Sequence, residues 1–189
     1  MKAESLKKIE NECLSCAACP LCSARTNVVF GAGNPDSKIL FVGEGPGENE
    51  DLQGEPFVGK AGQLLDLILE LTGFSRQNVY ICNTVKCRPP QNRDPSPAER
   101  SACRKWLDAQ LETINPEIIV CLGRIAAQEL ISPDFKITKE HGEWFDFAGK
   151  RIMATYHPSA LLRDESKRPD CFADFQKIRE ECRKLKINT

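Results

Sequence analysis

Four short apolar runs constrain the fold of this chain more than any other feature. SKILFVGEGPG (37–47) holds the strand KILFV and breaks into a glycine turn. NVYICNTVKC (78–87), EIIVCLG (117–123) and RIMATYHP (151–158) are the other three. Their β-branched and aromatic content reads as strand. Continuous apolar runs, without strict alternation, fit strands covered on both faces. Between them GQLLDLILELTGF (62–74), SPAERSACRKWLDAQLETI (96–114) and RIAAQELI (124–131) place apolar residues at helical spacing. Gly73 is a C-cap for the first of these, and Ser96 with Pro97 opens the second. A short helix is expected over 4–12, a final one over about 171–186, and a hairpin around EWFDFAGKRI. Strands alternating with helices predict an α/β class: a three-layer α/β/α domain over 1–189 around a four-stranded, mostly parallel sheet. Such sheets bind at the carboxyl ends of their strands. That rule points to GEGPG, Asn83, the Gly123 turn and His157.

The acidic stretch after GEGPG is expected to be a polar loop to about residue 59. RPPQNRDPSP (88–97), with four prolines, is expected to be an exposed loop. No run approaches the length of a bilayer span, and MKAESLKKIENE lacks the apolar core of a signal peptide, so a cytoplasmic protein is expected. Net charge is −1, but it is unevenly spread. Residues 40–70 carry seven acids against Lys60 alone, while 84–107 carry six bases and two acids. Separated basic segments can hold a polyanion despite a near-neutral total; ordinary solvated surface is the plainer alternative.

GEGPGENED (43–51) matches neither the dinucleotide-binding fingerprint nor the P-loop. Its acids make a poor phosphate cradle and suit activation of water or stabilisation of a cation; a tight turn with a solvated loop is the alternative. His157 precedes Pro158, which holds it in an extended turn. In HPSALLR, Ser159 and Arg163 can hold a phosphate while an exposed leucine enters a base stack. Alternatively Leu161 and Leu162 are helix core and Arg163 is surface. Asn83, in an apolar strand, presents a donor and an acceptor and needs a partner, structural or bound. His141, in KEHGE, is given no role.

There are ten cysteines. In a reducing compartment metal ligation explains such a number better than disulfides. Cys13, Cys16, Cys19 and Cys22 lie three apart and could form one site alone, while Cys87 and Cys103 flank the proline loop. Spacing does not choose among these solutions. Cys82, Cys121, Cys171 and Cys182 have apolar or helical neighbours and read as packing.

GEGPGENED, EPFVGKAGQLL, NTVKCRPPQNRDP and HPSALLR, in this order, resemble the family 4 iron–sulfur uracil-DNA glycosylases, from about Cys16 to Arg163. The resemblance implies one [4Fe–4S] cluster, with Cys87 and Cys103 as two ligands. The family's spacing to RT-x-VVFG selects Cys16 and Cys19 as the N-terminal pair and leaves Cys13 and Cys22 surplus. It also implies Phe57 as the aromatic that stacks on a flipped uracil, with Gly45 and Gly47 beside it. Asn83 would read the uracil edge, His157 would contact its 2-oxo group, and Leu161 would be the wedge.

The activity implied is flipping of deoxyuridine from single- or double-stranded DNA by a monomer and hydrolysis of its N-glycosidic bond, with release of uracil. Other branches of the superfamily place an Asp where Gly45 stands, so Glu44 and Glu50 become the expected catalytic acids, with Glu48 and Asp51 behind them. Arg88 and Arg93, in the loop tied by the cluster, are expected to contact phosphates along with Ser159 and Arg163. Two rivals remain: a relative that traps uracil-DNA covalently, whose histidine-bearing insertion PPQNRDPSPAER lacks, and a non-enzymatic metal-containing DNA-binding module.

Overall fold

The structure, a computed structural model, describes residues 1–188. Its six strands are β1 (Ala32–Gly33), β2 (Ile39–Gly43), β3 (Tyr80–Asn83), β4 (Ile118–Leu122), β5 (Trp144–Phe147) and β6 (Lys150–Thr155). They form one sheet in the order β1-β3-β2-β4-β6-β5. The four strands read from the sequence are its parallel centre. The expected four-stranded sheet is therefore corrected to a mixed six-stranded one, with an antiparallel strand at each edge. At two residues β1 is too short to show a pattern. β5 is the first arm of the expected hairpin, closed at Ala148 and Gly149, both at positive φ.

Eight α-helices accompany the sheet: α1 (Lys2–Leu14), α2 (Glu48–Gln53), α3 (Lys60–Leu71), α4 (Pro97–Ile114), α5 (Arg124–Leu130), α6 (Ile137–Glu140), α7 (Pro158–Arg163) and α8 (Arg168–Lys184). Strand residues alternate between two cores. Leu40 and Val42 of β2 pack on one face with Trp106, Leu107 and Leu111 of α4 and Ala126 and Ala127 of α5. Ile39 and Phe41 pack on the other with Leu65 and Leu69 of α3 and Phe175 and Ile178 of α8. Cys82, Cys121, Cys171 and Cys182 are buried in these cores, as packing requires.

Ser96 caps α4, and Glu99 returns the bond to complete a capping box. Gly73 follows α3 at φ +81°, in the left-handed region that glycine enters freely. The acidic stretch after GEGPG is not a loop throughout. Glu48, Glu50 and Asp51 fall in the first turn of α2, where negative charge complements the helix dipole. No helix among the described residues is long and apolar enough to cross a membrane.

Register positions the site. Gly43 pairs with Asn83 across β2 and β3, and Leu122 pairs with Thr155 across β4 and β6. The glycine turn, Asn83, Gly123 and His157 therefore emerge together at one edge of the sheet.

Candidate functional site

A cleft of about 620 Å³ opens at this edge. Glu44, Gly45, Gly47, Glu50, Phe57, Asn83, His157, Ser159, Arg93 and Arg163 all line it. The structure thus gathers most of the predicted site residues, brought in from the ends of three strands and the loops that follow. Arg88 stands off the lining, with its Nε on Asn92 Oδ1 at 2.8 Å and its Nη1 3.8 Å from exposed Glu48.

Phe57 has φ +55°, an uncommon conformation for a bulky residue. Three contacts hold it there. Arg76 donates to the carbonyls of Pro56 and Phe57. Glu50 accepts from the N–H groups of Val58 and Gly59 at 2.9 and 2.8 Å. Gly62 permits the approach, since a Cβ there would lie 1.8 Å from the Phe57 oxygen. Gly43 plays a similar part at the floor: a Cβ would lie 2.4 Å from Asn83 Oδ1 and 2.6 Å from Phe57 Cζ. The side chain of Asn83 is buried, and its Oδ1 has no hydrogen-bond partner among the described residues.

The acids divide sharply. Glu50 also accepts from Gly47 N–H at 3.1 Å, so both its oxygens fasten the loop around Phe57 to the start of α2. Those bonds give Glu50, expected as a catalytic acid, a structural part in the cleft wall. Asp51 is 2% exposed and accepts from the backbone N–H groups of Thr26 and Asn27. Glu44, which also lines the cleft, is the acid of this stretch whose carboxyl has no partner among the described residues. Burial, followed by the nearby Asp94 charge, pushes its pKa up to about 7.

His157 accepts the Ser159 backbone N–H at Nδ1, 3.1 Å away, with Ser159 Oγ at 2.7 Å. Accepting at Nδ1 places the ring proton on Nε2. Burial, then the charge of Arg163, lowers the His157 pKa to about 4, so the imidazole is neutral near pH 7. Ser159, expected to contact a phosphate, is thereby committed to His157. Leu161 is 0% exposed, packed with the α3 and α8 core, and is corrected from wedge to core residue. Leu162 is the exposed leucine of this helix, at 43%.

At the mouth, Arg93 makes a two-toothed bond to Glu99 at 2.7 and 2.8 Å and first serves to clasp the proline loop to α4. Arg124 reaches Asp94 at 2.5 Å. Arg163 is exposed and makes no ion pair among the described residues. Gly43, Asp94, Arg124 and Tyr156 also belong to the site. The first glycine of GEGPG signalled Gly43, and the Gly123 turn signalled Arg124. Nothing local pointed to Asp94 or Tyr156.

Below this cleft the cysteines converge. Cys13, Cys16, Cys19, Cys22, Cys87 and Cys103 line one small cavity with Arg25, Lys86 and Trp106. Three sulfurs receive N–H groups: Cys16 from Trp106 Nε1 at 3.4 Å, Cys87 from Arg25 Nη1 at 3.3 Å, and Cys103 from the Lys86 backbone at 3.3 Å. Donors aimed at sulfur favour thiolates. Burial raises the Cys16 thiol, but bonds from the Ala18 backbone and Trp106, with the charges of Lys105 and Arg25, outweigh it and lower its pKa. Burial pushes Cys13 up to about 12. Among the described residues no three Cys, His, Asp or Glu side chains are gathered as ligands of a single metal ion.

A family model of the uracil DNA glycosylase superfamily matches residues 30–181. The chain is 50% identical over 167 residues to the type-4 uracil-DNA glycosylase of Thermotoga maritima, covering 87% of each chain. It is 47% identical over 189 residues to the type-4 uracil-DNA glycosylase of Archaeoglobus fulgidus, covering 96% of this chain and 95% of the relative. The type-4 uracil-DNA glycosylase of Sulfurisphaera tokodaii is 47% identical over 186 residues, covering 94% of this chain and 84% of the relative.

Proposed function

The chain belongs to the uracil DNA glycosylase superfamily and, within it, to the type-4 enzymes, and we propose that it hydrolyses the N-glycosidic bond of deoxyuridine in DNA, releasing uracil and leaving an abasic site. One observation carries this reading best: the buried, partnerless Asn83 Oδ1 beside the neutral His157. A buried acceptor without a donor is costly, and a bound group that donates to it repays that cost. Uracil offers N3–H to Asn83 Oδ1, O4 to the Asn83 amide N–H and O2 to His157 Nε2–H. Cytosine has a bare N3 and an amine at C4, so it would leave Asn83 facing two like groups. Such mismatches support large discrimination.

The target base must leave the stack to reach the cleft. Phe57, locked at positive φ, offers its ring face to the base. As the C1′–N1 bond breaks, positive charge builds on the sugar and negative charge on uracil. His157 Nε2–H stabilises the uracil anion without carrying a charge of its own. Glu44, once ionised, stabilises the sugar cation and orients the water that adds to C1′. Its carboxyl is the one this turn leaves free, because Glu50 and Asp51 are engaged by backbone N–H groups. Gly45 and Gly47 keep the turn low enough for the base to enter, since a Cβ at either would meet Val85 or Glu50 within 3 Å.

Arg163 and Arg124 take DNA phosphates at the mouth, with Arg88 and Arg93 farther along the proline loop. Leu162, exposed beside Arg163, fills the space the flipped nucleotide vacates. The thiolate cavity fits a cluster in two respects: its sulfurs receive directed N–H groups, and they surround a space rather than crowd one point. Cys16, Cys19, Cys87 and Cys103 would hold one [4Fe–4S] cluster, which when bound would tie the N-terminal segment to the end of β3 and to α4 and add negative charge there.

The chain would act as a monomer with a single domain, since one sheet serves both cores. Its ten unpaired cysteines suit the reducing cytoplasm. Uracil release from a labelled uracil-containing oligonucleotide by iron-loaded protein tests the reading. No release, or a stable protein–DNA adduct in its place, overturns it.

A further inference from the structure

Lys86 is a charged residue where the fold gives charge no visible support. It is 1% exposed, stands three residues beyond the end of β3 and lines the thiolate cavity. Its Nζ donates to the backbone carbonyl of Asn83 at 2.8 Å and to Gln110 Oε1 at 2.5 Å. Its remaining neighbour is the ring of Phe30, 5.8 Å away. Gln110 is itself held from behind, donating from Nε2 to the Phe30 carbonyl at 2.9 Å. No carboxylate among the described residues reaches Nζ within ion-pair distance. All the polar partners are neutral, and a buried ammonium with neutral partners alone is expensive.

The anions available to it are the cysteine sulfurs. The Lys86 charge acts on Cys13, Cys103 and Cys82, and its own backbone N–H donates to Cys103 Sγ. Four thiolates around an iron–sulfur core would leave the assembly net negative, and Lys86 is the buried cation among the residues that line its cavity. The same ammonium grips the carbonyl of Asn83, the residue whose amide faces the base.

We propose that Lys86 is a positioning residue that couples the two sites: its ammonium balances the charge of the cluster and, through the Asn83 carbonyl, fixes the strand end that reads uracil. This rests on the uracil-excising, cluster-bearing reading above. It gives the cluster a part in base recognition without any electron transfer to DNA. It also explains why a lysine is buried just beyond the strand end.

The test uses the iron-loaded protein and the variants Lys86→Met and Lys86→Gln. Both remove the charge; only glutamine retains a donor for the Asn83 carbonyl. The midpoint potential of the cluster is expected to fall in both, because losing a nearby positive charge disfavours the added electron. For uracil release, kcat is expected to fall about tenfold or more in methionine and less in glutamine, as a misplaced reading group would cause. KM for DNA is expected to stay within about twofold, since the phosphate contacts lie elsewhere. An unchanged potential, or an unchanged kcat in methionine, overturns the proposal. If neither neutral variant takes up iron, Lys86→Arg decides: restored iron content supports a role for charge, and continued failure overturns it. The wild-type control separates this proposal from its premise. Wild-type protein without iron or without uracil release sinks the premise, whereas an active, iron-loaded wild type with unshifted variants sinks the coupling alone.

Discussion

The rings of Phe57 and His157 lie 5.5 Å apart, tilted by 33°, across the floor of the cleft. Neither residue chooses that distance alone. Phe57 is placed by Arg76, Glu50 and the missing side chain of Gly62, and His157 by the Ser159 backbone and hydroxyl. The proposed base platform and oxyanion donor are thus set before DNA arrives, as electrostatic preorganisation requires.

Gly43 sits under both Phe57 and Asn83, and its substitution tests that preorganisation. In Gly43→Ala the new Cβ would press on Asn83 Oδ1 and the Phe57 ring together. Overpacking of this kind costs about 1–3 kcal/mol of stability. Uracil release is expected to fall about a hundredfold or more, because displacement on the order of 1 Å at a reacting site has that effect. Stopped assays on a uracil oligonucleotide, with a urea titration alongside, separate the two losses. Full activity would show that the floor is not set by this contact.

The pH profile of kcat/KM reports the free enzyme's ionisations. Glu44 must be ionised to stabilise the sugar cation, and its pKa is raised to about 7. Activity should therefore fall tenfold per pH unit below about 7. His157 stays neutral down to about 4 and adds a second loss only there. Glu44→Gln should lower activity about a hundredfold or more and remove the limb near 7. A limb that persists in this variant would assign the ionisation elsewhere.

The same two groups tilt stability in opposite directions. The Glu44 pKa is higher folded than unfolded, so the native state binds more protons and loses stability as pH rises from 4.5 to about 7. The His157 pKa is lower folded than unfolded, so stability is lost as pH falls from 6.5 to about 4. Each effect is on the order of 1–3 kcal/mol after allowance for partial exposure. Against wild type, Glu44→Gln should steepen the rise of stability with pH across this window and His157→Asn should flatten it. Urea midpoints at pH 4.5, 5.5 and 6.5, taken as differences from wild type, measure the slopes.

The strand ends were legible because each central strand is an unbroken apolar run, and parallel sheets place chemistry where such runs stop. Asn83 and His157 were therefore found without contacts. The start of α4 was legible because Ser96 and Pro97 are each favoured at their positions for a local reason. What stayed hidden depends on partners distant in sequence. Glu50 and Glu44 look alike in GEGPGENED, and only the arrival of Val58 and Gly59 at one of them divides structural acid from free one. Leu161 and Leu162 differ by one position, and the docking of α7 on α3 decides which faces the core. Lys86 was not legible as a special residue, because its acceptor Gln110 lies 24 residues away.

The cysteines give a prediction that spacing alone could not. Cys16 and Cys103 receive N–H groups at sulfur, while Cys13 is buried with its pKa up to about 12. Cys16→Ser and Cys103→Ser should lose iron content and visible absorbance. Cys22→Ser should keep both. Iron analysis on anaerobically purified protein reads the outcome directly. Loss of iron in Cys22→Ser would move the N-terminal ligand pair by one repeat of the cysteine run.

The two leucines of α7 separate packing from DNA contact most cleanly. Leu161 is wholly buried between α3 and α8, so Leu161→Ala should cost about 2–5 kcal/mol through the cavity it leaves. Leu162 is 43% exposed, so Leu162→Ala should change stability by less than about 0.5 kcal/mol. Its effect should appear on DNA instead. A wedge substitutes for the lost stacking partner, and that loss is larger in a duplex than in a flexible single strand. Uracil release from duplex DNA should therefore fall more than release from single strands in Leu162→Ala, whereas Leu161→Ala should lower the melting temperature and affect both substrates alike. The reverse pattern would require α7 to turn on binding, exposing Leu161 in place of its neighbour.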